Sequence, residues 1–357
     1  MAERTHEIFG IDRRKAILTL ALGVVLVVGV VYAIGQVTSF HHILHALRRA
    51  DGSWFPVCLG GELLVYAGYI AAYRDVARVD GGPCFSLWTA ARVVALGFGA
   101  FIVGTSAGSL GLDYWALHRA GERPRSAFRR VLALNTVEWM VLAILAFAAA
   151  VLVTAGVSHA PAAMSLAWLV VVPLCVLAAA WVSSPRRRDR LTSLSRERAE
   201  LTRDPRTWLR WLRHAVRAAF SDAVGGVVLV RRLLARPRRY PGALLGFAVF
   251  WGGDVTTLYA ALRAFGIHPS VPSLVLAYST AYVVTMLPLP AGGSGGIEAG
   301  LAFSLNAVGI ALAPALLATL VYRVFTLWLP IAPAALALTQ VRPLEAELAN
   351  VGHASIA

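Results

Sequence analysis

Apolar residues along this chain come in blocks of about twenty, separated by short arginine-bearing stretches, with no strand-like alternation. A block of that length crosses a bilayer as a helix. Candidate spanning segments run over 16–38, 54–73, 86–105, 131–155, 163–183, 241–265, 272–290 and 311–339. Two further apolar segments, 106–118 and 291–306, are too short to cross, because a spanning helix needs about 20 residues. The pattern predicts an all-α polytopic membrane protein with about eight transmembrane helices and two short broken or re-entrant helices. The first block, Ala16 to Val37, is too long for a signal-peptide core and lacks a small-residue cleavage site, so it reads as a retained helix.

Composition agrees with a membrane class. Of 357 residues, 58% are hydrophobic and 15% charged, against roughly 25% charged in soluble domains. The net charge of +14 is almost wholly arginine, since Lys15 is the only lysine. Nucleic-acid binding is one reading of so basic a chain, but no zinc-finger, RNP or basic-zipper pattern accompanies the charge. Cytoplasmic loops explain it better, because they retain Arg and Lys. Cys58, Cys84 and Cys175 show no CxxC or Cys/His spacing, so neither a disulfide framework, a metal site nor a cofactor is indicated. His41, His42 and His45 read as a surface cluster.

The arginines set the expected orientation. Arg4, Arg13, Arg14 and Lys15 put the N-terminus in the cytoplasm, and Arg74 and Arg78 put the end of the second helix there. The stretch 119–130, with five arginines, and the long basic segment 184–240 belong inside too. One simple crossing between Ser86 and Ala120 would put both outside. The conflict disappears if 86–118 goes in and comes back, either as a full crossing plus a broken helix or as a re-entrant hairpin. Within the basic segment, Trp208 to Phe220 has helical spacing with arginines on one side. It reads as an interfacial helix on the cytoplasmic leaflet, or as an amphipathic connector packed on the bundle.

A repeat is visible. Ser106-Ala-Gly108-Ser109-Leu-Gly111-Leu112-Asp113 resembles Ala291-Gly-Gly293-Ser294-Gly-Gly296-Ile297-Glu298, in the register that carries Asp113 onto Glu298. The same displacement carries 54–73 onto 239–258, 86–105 onto 271–290 and 131–155 onto 316–340, and Glu138 onto Arg323. The loop 119–130 is arginine-rich while its counterpart 304–315 is uncharged, so the two repeats, 54–155 and 241–340, are expected to be inserted upside down relative to each other. Inverted repeats with interrupted helices place their ligand sites near the midplane, between the repeats.

The candidate chemistry follows the interruptions. Pro288, Pro290, Gly292, Gly293 and Gly296 break a helix at membrane depth, and Glu298 follows. Broken backbone and charge are tolerated there where they line a cavity. Helix starts after Gly292–Gly296 and after Gly108-Ser109 would aim free N–H groups at a phosphate or carboxylate, although small residues also serve tight helix packing. Arg323 is expected to pair with Glu298 in one state and with a lipid phosphate in another. Asp113 and Glu138 are the counterparts of Glu298 and Arg323, so the first half cannot form the same pair. Glu62 and Asp254 are further acids in apolar blocks, with interfacial positions equally open.

Pro-x-Pro-x-Gly-Gly-x-x-Gly-x-Glu from Pro288 to Glu298, followed by Tyr322-Arg323 and Pro330, resembles the lysylphosphatidylglycerol synthase transmembrane-region family, also called the flippase-like domain family. The resemblance spans about residues 15–340. It implies a multi-pass domain of a bacterial plasma membrane that moves lipids between leaflets, with Pro288, Pro290, Gly292, Gly293, Gly296, Glu298, Tyr322 and Arg323 at the site. Ile102 to Thr105 stands where a proline is common in the family. Aminoacyl-transferring members carry a soluble catalytic domain after the membrane part. This chain ends at Ala357, soon after its last apolar block, so it is not expected to make lysyl-lipid itself. The leading expectation is a flippase or transporter of a phosphate-containing lipid with an anionic headgroup. A scaffold for a separate lipid-synthesising enzyme, or a membrane enzyme with Glu298 as base, are the alternatives. The sequence places no homodimer face, and a homodimer stays open.

Overall fold

The structure of the chain, a computed structural model, is described over residues 50–182, 208–286 and 294–354. The first candidate helix, 16–38, the His41–His45 cluster and residues 183–207 lie outside these. The described residues are helical without strands. Helix α1 (Phe55–Ala77) starts behind a turn whose Asp51 carboxylate accepts from the Ser53 N–H at 3.0 Å. Pro56 sits in its first turn, where no N–H is required. Helix α2 (Leu87–Arg119) opens on Ser86, whose Oγ accepts from the Thr89 N–H at 3.0 Å. Helices α3 (Pro124–Thr154), α4 (Ala162–Val182) and α5 (Trp208–Ala235) follow. After them come α6 (Pro241–Ala264), α7 (Val271–Tyr282) with a 3-10 turn to Met286, and α8 (Gly296–Ala307). Helix α9 (Leu312–Arg323) runs through a π turn, Val324–Trp328, into α10 (Ile331–Thr339) and then α11 (Val341–Ala354).

Five helical stretches among the described residues are long and apolar enough to span a bilayer: Gly52–Ala77, Pro124–Thr154, Ala162–Trp181, Pro241–Ala264 and Leu312–Thr339. Leu87–Ile102 and Val271–Thr285 are apolar but shorter. This is an all-α membrane protein. The two shorter stretches fall on the expected spans 86–105 and 272–290.

Both stretches pack back against the chain that follows them. Helix α2 is helical throughout, yet it is not straight. A Cβ on Gly108 would lie 2.3 Å from the Ala100 carbonyl oxygen, and one on Gly97 would lie 3.6 Å from Ser109 Oγ. Twelve residues of straight helix measure about 18 Å. The contacts 100/108 and 97/109 centre on one point, so the segment doubles back between Ile102 and Gly108. Both its ends reach α11: Arg92 pairs with Glu347, and Arg119 with Glu345 at 3.4 Å. The expected separate segments 86–105 and 106–118 are thus two arms of one hairpin. In the second half, Gly300 of α8 lies against Ala281 and Val284, so α7 and α8 also form a hairpin.

Helices α1 and α6 make the tightest crossing in the bundle. A Cβ on Gly68 would meet the Gly246 carbonyl oxygen at 2.4 Å, and a Cβ on Gly253 would meet that of Gly61 at 2.5 Å. Position rises along α1 as it falls along α6, so the helices are antiparallel. The displacement expected for the repeat carries Gly61 onto Gly246 and Gly68 onto Gly253. The contacts 61–253 and 68–246 therefore exchange under that displacement. This is the isologous pattern of a two-fold interface, inside one chain.

One end of the bundle collects arginines. Arg130 is buried and donates to the carbonyls of Ala77 (2.9 Å) and Val79 (2.7 Å), which terminate α1, while its other nitrogen meets Glu122 at 3.0 Å. Arg129 meets Asp222 of α5 at 3.1 Å, Arg232 of α5 pairs with Asp80, and Asp75 accepts from the Gly242 N–H that opens α6. The Trp208–Phe220 helix expected from the sequence extends to Ala235, and beyond Asp222 it packs on α3 through Gly225 and Gly226. The first hairpin begins and ends at this arginine-rich end. The second begins at the opposite end, where Ser273 Oγ donates to the carbonyl of His159, just past α3.

Helix α11 is an element the hydropathy pattern does not show. Thr89 Oγ1 donates to Glu347 at 3.0 Å beside the Arg92 contact, and Arg92 holds the Glu347 carboxyl below its ordinary value. A lowered carboxyl in the folded state stabilises above its unfolded pKa and loses that contribution as pH falls through the folded value. Docking of α11 should hold at neutral pH and weaken as pH falls from the ordinary glutamate value down through the lowered folded one. Hydrogen exchange over 341–354 against pH reads this directly. Protection lost around neutral pH would contradict it.

Candidate functional site

Where the hairpins meet the α1/α6 crossing there is a cavity of about 120 Å³. Its walls come from both halves. Glu62 and Tyr69 of α1, Ser109 of α2 and Glu138 of α3 face Asp254 of α6, Tyr282 of α7 and Tyr322 and Arg323 of α9. Three lining residues are acids and one is an arginine. A cavity with this polar lining inside an apolar bundle is the kind of place where intramembrane charge is functional.

The centre of the second half is an ion pair. Arg323 Nε donates to Glu298 Oε1 at 2.8 Å, with side chains 6% and 1% exposed. Glu298 is the third residue of α8. Its other oxygen accepts from the Gly295 N–H at 2.5 Å, so the helix is capped by its own carboxylate. Gly295 has φ +83°, a conformation that favours glycine. The expectation that this helix start offers free N–H groups to a ligand is corrected here at Gly295, whose N–H is already taken. The Gly108-Ser109 expectation is corrected too, because Gly108 lies within helix α2 and opens no new one. Gly108 serves the fold-back, packed on Ala100.

Arg323 ends α9 at the point where hydrogen bonding passes to the π pattern. Leu329 N–H reaches the Val324 carbonyl at 2.9 Å. Pro330, two residues after Trp328, has no N–H to continue the regular ladder, which gives the widened turn a local cause. The turn leaves Thr326 and Pro330 on the cavity wall beside Arg323.

In the first half Asp113 holds the place of Glu298. It is 1% exposed, and Tyr69 Oη donates to it at 3.5 Å. Asp113 and Glu298 are therefore alike: each sits one layer behind the cavity wall and is bonded to a side chain that lines it, Tyr69 or Arg323. Glu138, the counterpart of Arg323, lines the cavity directly. Near it, Trp251 Nε1 donates to the Glu138 backbone carbonyl at 2.9 Å. Rings of Trp251, Tyr278, Tyr282 and Tyr322 pack in one cluster, with Trp251 and Tyr282 centroids 4.9 Å apart. Tyr278 Oη donates to Asp254.

Of the residues singled out by sequence, Ser109, Glu138, Tyr322 and Arg323 line the cavity, and Asp113 and Glu298 stand behind it. Gly296 is the first residue of α8. Pro288, Pro290, Gly292 and Gly293 lie outside the described residues. Glu62 and Asp254, read from sequence as equally open to interfacial positions, are buried wall residues of the same cavity. The signal that could have found them is their level: each follows a glycine of the α1/α6 crossing. Among the described residues, no group of three His, Cys, Asp or Glu side chains is placed to hold a metal.

Residues 20–334 match the family described as lysylphosphatidylglycerol synthase TM region. No curated protein matches the chain. The match covers most of the sequence, and the chain belongs to the lysylphosphatidylglycerol synthase transmembrane-region family.

Proposed function

We propose that this member of the family moves a phosphate-bearing lipid between the two leaflets of a bacterial plasma membrane, with its headgroup passing through the cavity between two inverted repeats. The observation that carries the reading is the cavity itself: a site with charged walls inside an apolar bundle, lined by both halves. Three further features support it. The α1/α6 crossing is isologous and antiparallel, as repeats of opposite insertion require. The two hairpins enter from opposite ends of the bundle. The arginine-rich end fits the cytoplasmic side, and in this reading the N-terminus lies on that side as well. In this reading both hairpins are re-entrant, and the repeats rock about the crossing while the acyl or prenyl tails stay in lipid.

The lining refines the expected headgroup. A purely anionic group would face Glu62, Glu138 and Asp254, with Arg323 already engaged by Glu298. A headgroup carrying both a phosphate and an amine matches the lining better, with phosphate toward Arg323 and the amine toward the acids. Aminoacyl-phospholipids and amine-bearing polyprenyl-phosphate sugars have that chemistry. The arrangement also speaks for a transporter over the alternatives. A scaffold has no use for buried charge around a cavity, and no nucleophile beside a base is seen among the described residues.

The test is lipid translocation in proteoliposomes with a fluorescent anionic phospholipid, an aminoacyl-phospholipid and a polyprenyl-phosphate sugar. Wild type should move the amine-bearing lipid fastest. Glu298→Gln and Arg323→Lys, recovered as folded protein by size exclusion, should each lower the rate at least about tenfold, the equivalent of one charge-assisted hydrogen bond. Wild-type rates in both variants would reject the cavity as the path.

A further inference from the structure

Glu62 and Asp254 lie where α1 crosses α6, each directly after one of the two glycines whose backbones touch, Gly61 and Gly253. Both are more than nine-tenths buried and both line the cavity. Each has a carboxylate oxygen with no hydrogen-bond partner, Glu62 Oε2 and Asp254 Oδ1. This differs from Glu298, whose two oxygens are both engaged.

The crossing does not require acids there. The repeat displacement carries Glu62 onto Phe247 and Tyr69 onto Asp254. The two-fold equivalent of the Glu62 and Asp254 positions is thus Phe247 and Tyr69, an edge-to-face ring pair with centroids 5.6 Å apart. The same backbone geometry is filled at one place by rings and at the other by two carboxylates. A buried polar atom without a partner is destabilising, so the acids are retained against packing. They need a positive charge between them.

The groups that face the pair leave it unmet. Glu138 from α3 adds a third acid, and Asp113 of α2 lies behind Tyr69. Tyr278 of α7 donates to the far oxygen of Asp254, and Tyr322 of α9 neighbours the same carboxylate. The lining cation, Arg323 of α9, is held by Glu298 of α8. A proton is the cation that two bare carboxylate oxygens can share with no further ligand.

We propose that Glu62 and Asp254 hold one exchangeable proton and form the coupling site of transport: a proton is taken from water at one membrane face, carried on a carboxylate oxygen, and returned to water at the other as the headgroup moves the opposite way. Only the O–H bond forms and breaks. The proposal rests on the transport reading above.

It is tested in proteoliposomes with membrane potential clamped and a pH step imposed, using the amine-bearing lipid and dithionite access as the measure of leaflet distribution. One proton exchanged per lipid supports up to about a tenfold leaflet asymmetry per pH unit. Wild type should approach that asymmetry. Glu62→Gln and Asp254→Asn should show none, at whatever rate they still equilibrate lipid. A wild type that equilibrates lipid regardless of the pH step overturns coupling and leaves transport standing. A response to a sodium gradient in place of the pH step assigns the site to sodium and overturns the proton. If wild type moves no lipid, the transport reading falls and coupling with it. Infrared difference spectra then decide the proton by itself: a protonated-carboxyl band, shifted in heavy water and reduced in both variants, is expected, and its absence from wild type refutes the site.

Discussion

Removing the guanidinium of Arg323 should destabilise the protein by about 3–5 kcal/mol, and removing the Glu298 charge at the same time should return most of that loss. Arg323→Met leaves Glu298 buried at 1% exposure with only the Gly295 amide as partner. Glu298→Gln keeps an oxygen for that amide but withdraws the carboxylate that meets Arg323 at 2.8 Å. Arg323 cannot shed its proton to adapt. Asp254 is also close enough for its charge to interact with Arg323. Glu298→Gln should therefore cost less than Arg323→Met, and the double variant should be more stable than the two single losses added together. Thermal unfolding of detergent-solubilised protein, followed by size exclusion, measures all three. Additive losses would mean that the two side chains do not act as a pair. The same cycle bears on mechanism. A pair that must open to admit a phosphate holds the protein in its closed form, and variants that open it should change transport and stability together.

Most of the helices were legible because a bilayer imposes a length. Phe55–Ala77, Pro124–Thr154, Ala162–Val182 and Pro241–Ala264 lie within several residues of segments read from hydropathy alone. The arginines went further: they demanded an excursion between Ser86 and Ala120 that ends where it began, and α2 makes one. What the sequence did not show is that this excursion is helical throughout. A helix continuing from Leu87 to Arg119 looks long enough to span, and the contacts of Gly108 with Ala100 and of Gly97 with Ser109 reveal the reversal. Helix α11 was missed because its apolar residues make one narrow face, buried through Leu344 and Leu348 between charged positions. At the site, Glu298 and Arg323 stood out by motif and do pair. Glu62 and Asp254 did not stand out, because their meaning depends on the register of two helices far apart in the chain. That register is set by packing of small residues, which leaves no periodic mark of its own.

The glycines of that register carry the second large effect. Leucine at Gly68 or Gly246 should unfold the protein or lower its stability by about 3 kcal/mol or more, whereas leucine at Gly60 or Gly252, on the same two helices, should be tolerated. A Cβ at Gly68 would stand 2.4 Å from one backbone atom and 2.5 Å from another, and one at Gly246 would stand 2.6 Å from the Gly68 carbonyl oxygen. Backbone cannot rotate away as a side chain can, so the helices must part. Parting them exposes no water-averse surface in a membrane, where association depends on close van der Waals fit. The loss is therefore dispersion and interhelical bonding, including the Thr257 hydroxyl bond to the Cys58 carbonyl at 3.2 Å. Gly60 and Gly252 have nothing within 4 Å and report the cost of the substitution alone. The two-fold pattern sharpens the expectation. Gly61 and Gly246 are equivalent, and so are Gly68 and Gly253, so alanine at the members of each pair should destabilise to similar extents. A measured hierarchy that follows the pairs would tie the stability of the crossing to the repeat. Losses confined to α1 would mean that α6 can shift to accommodate them, and that the crossing is not the fixed axis about which the halves move.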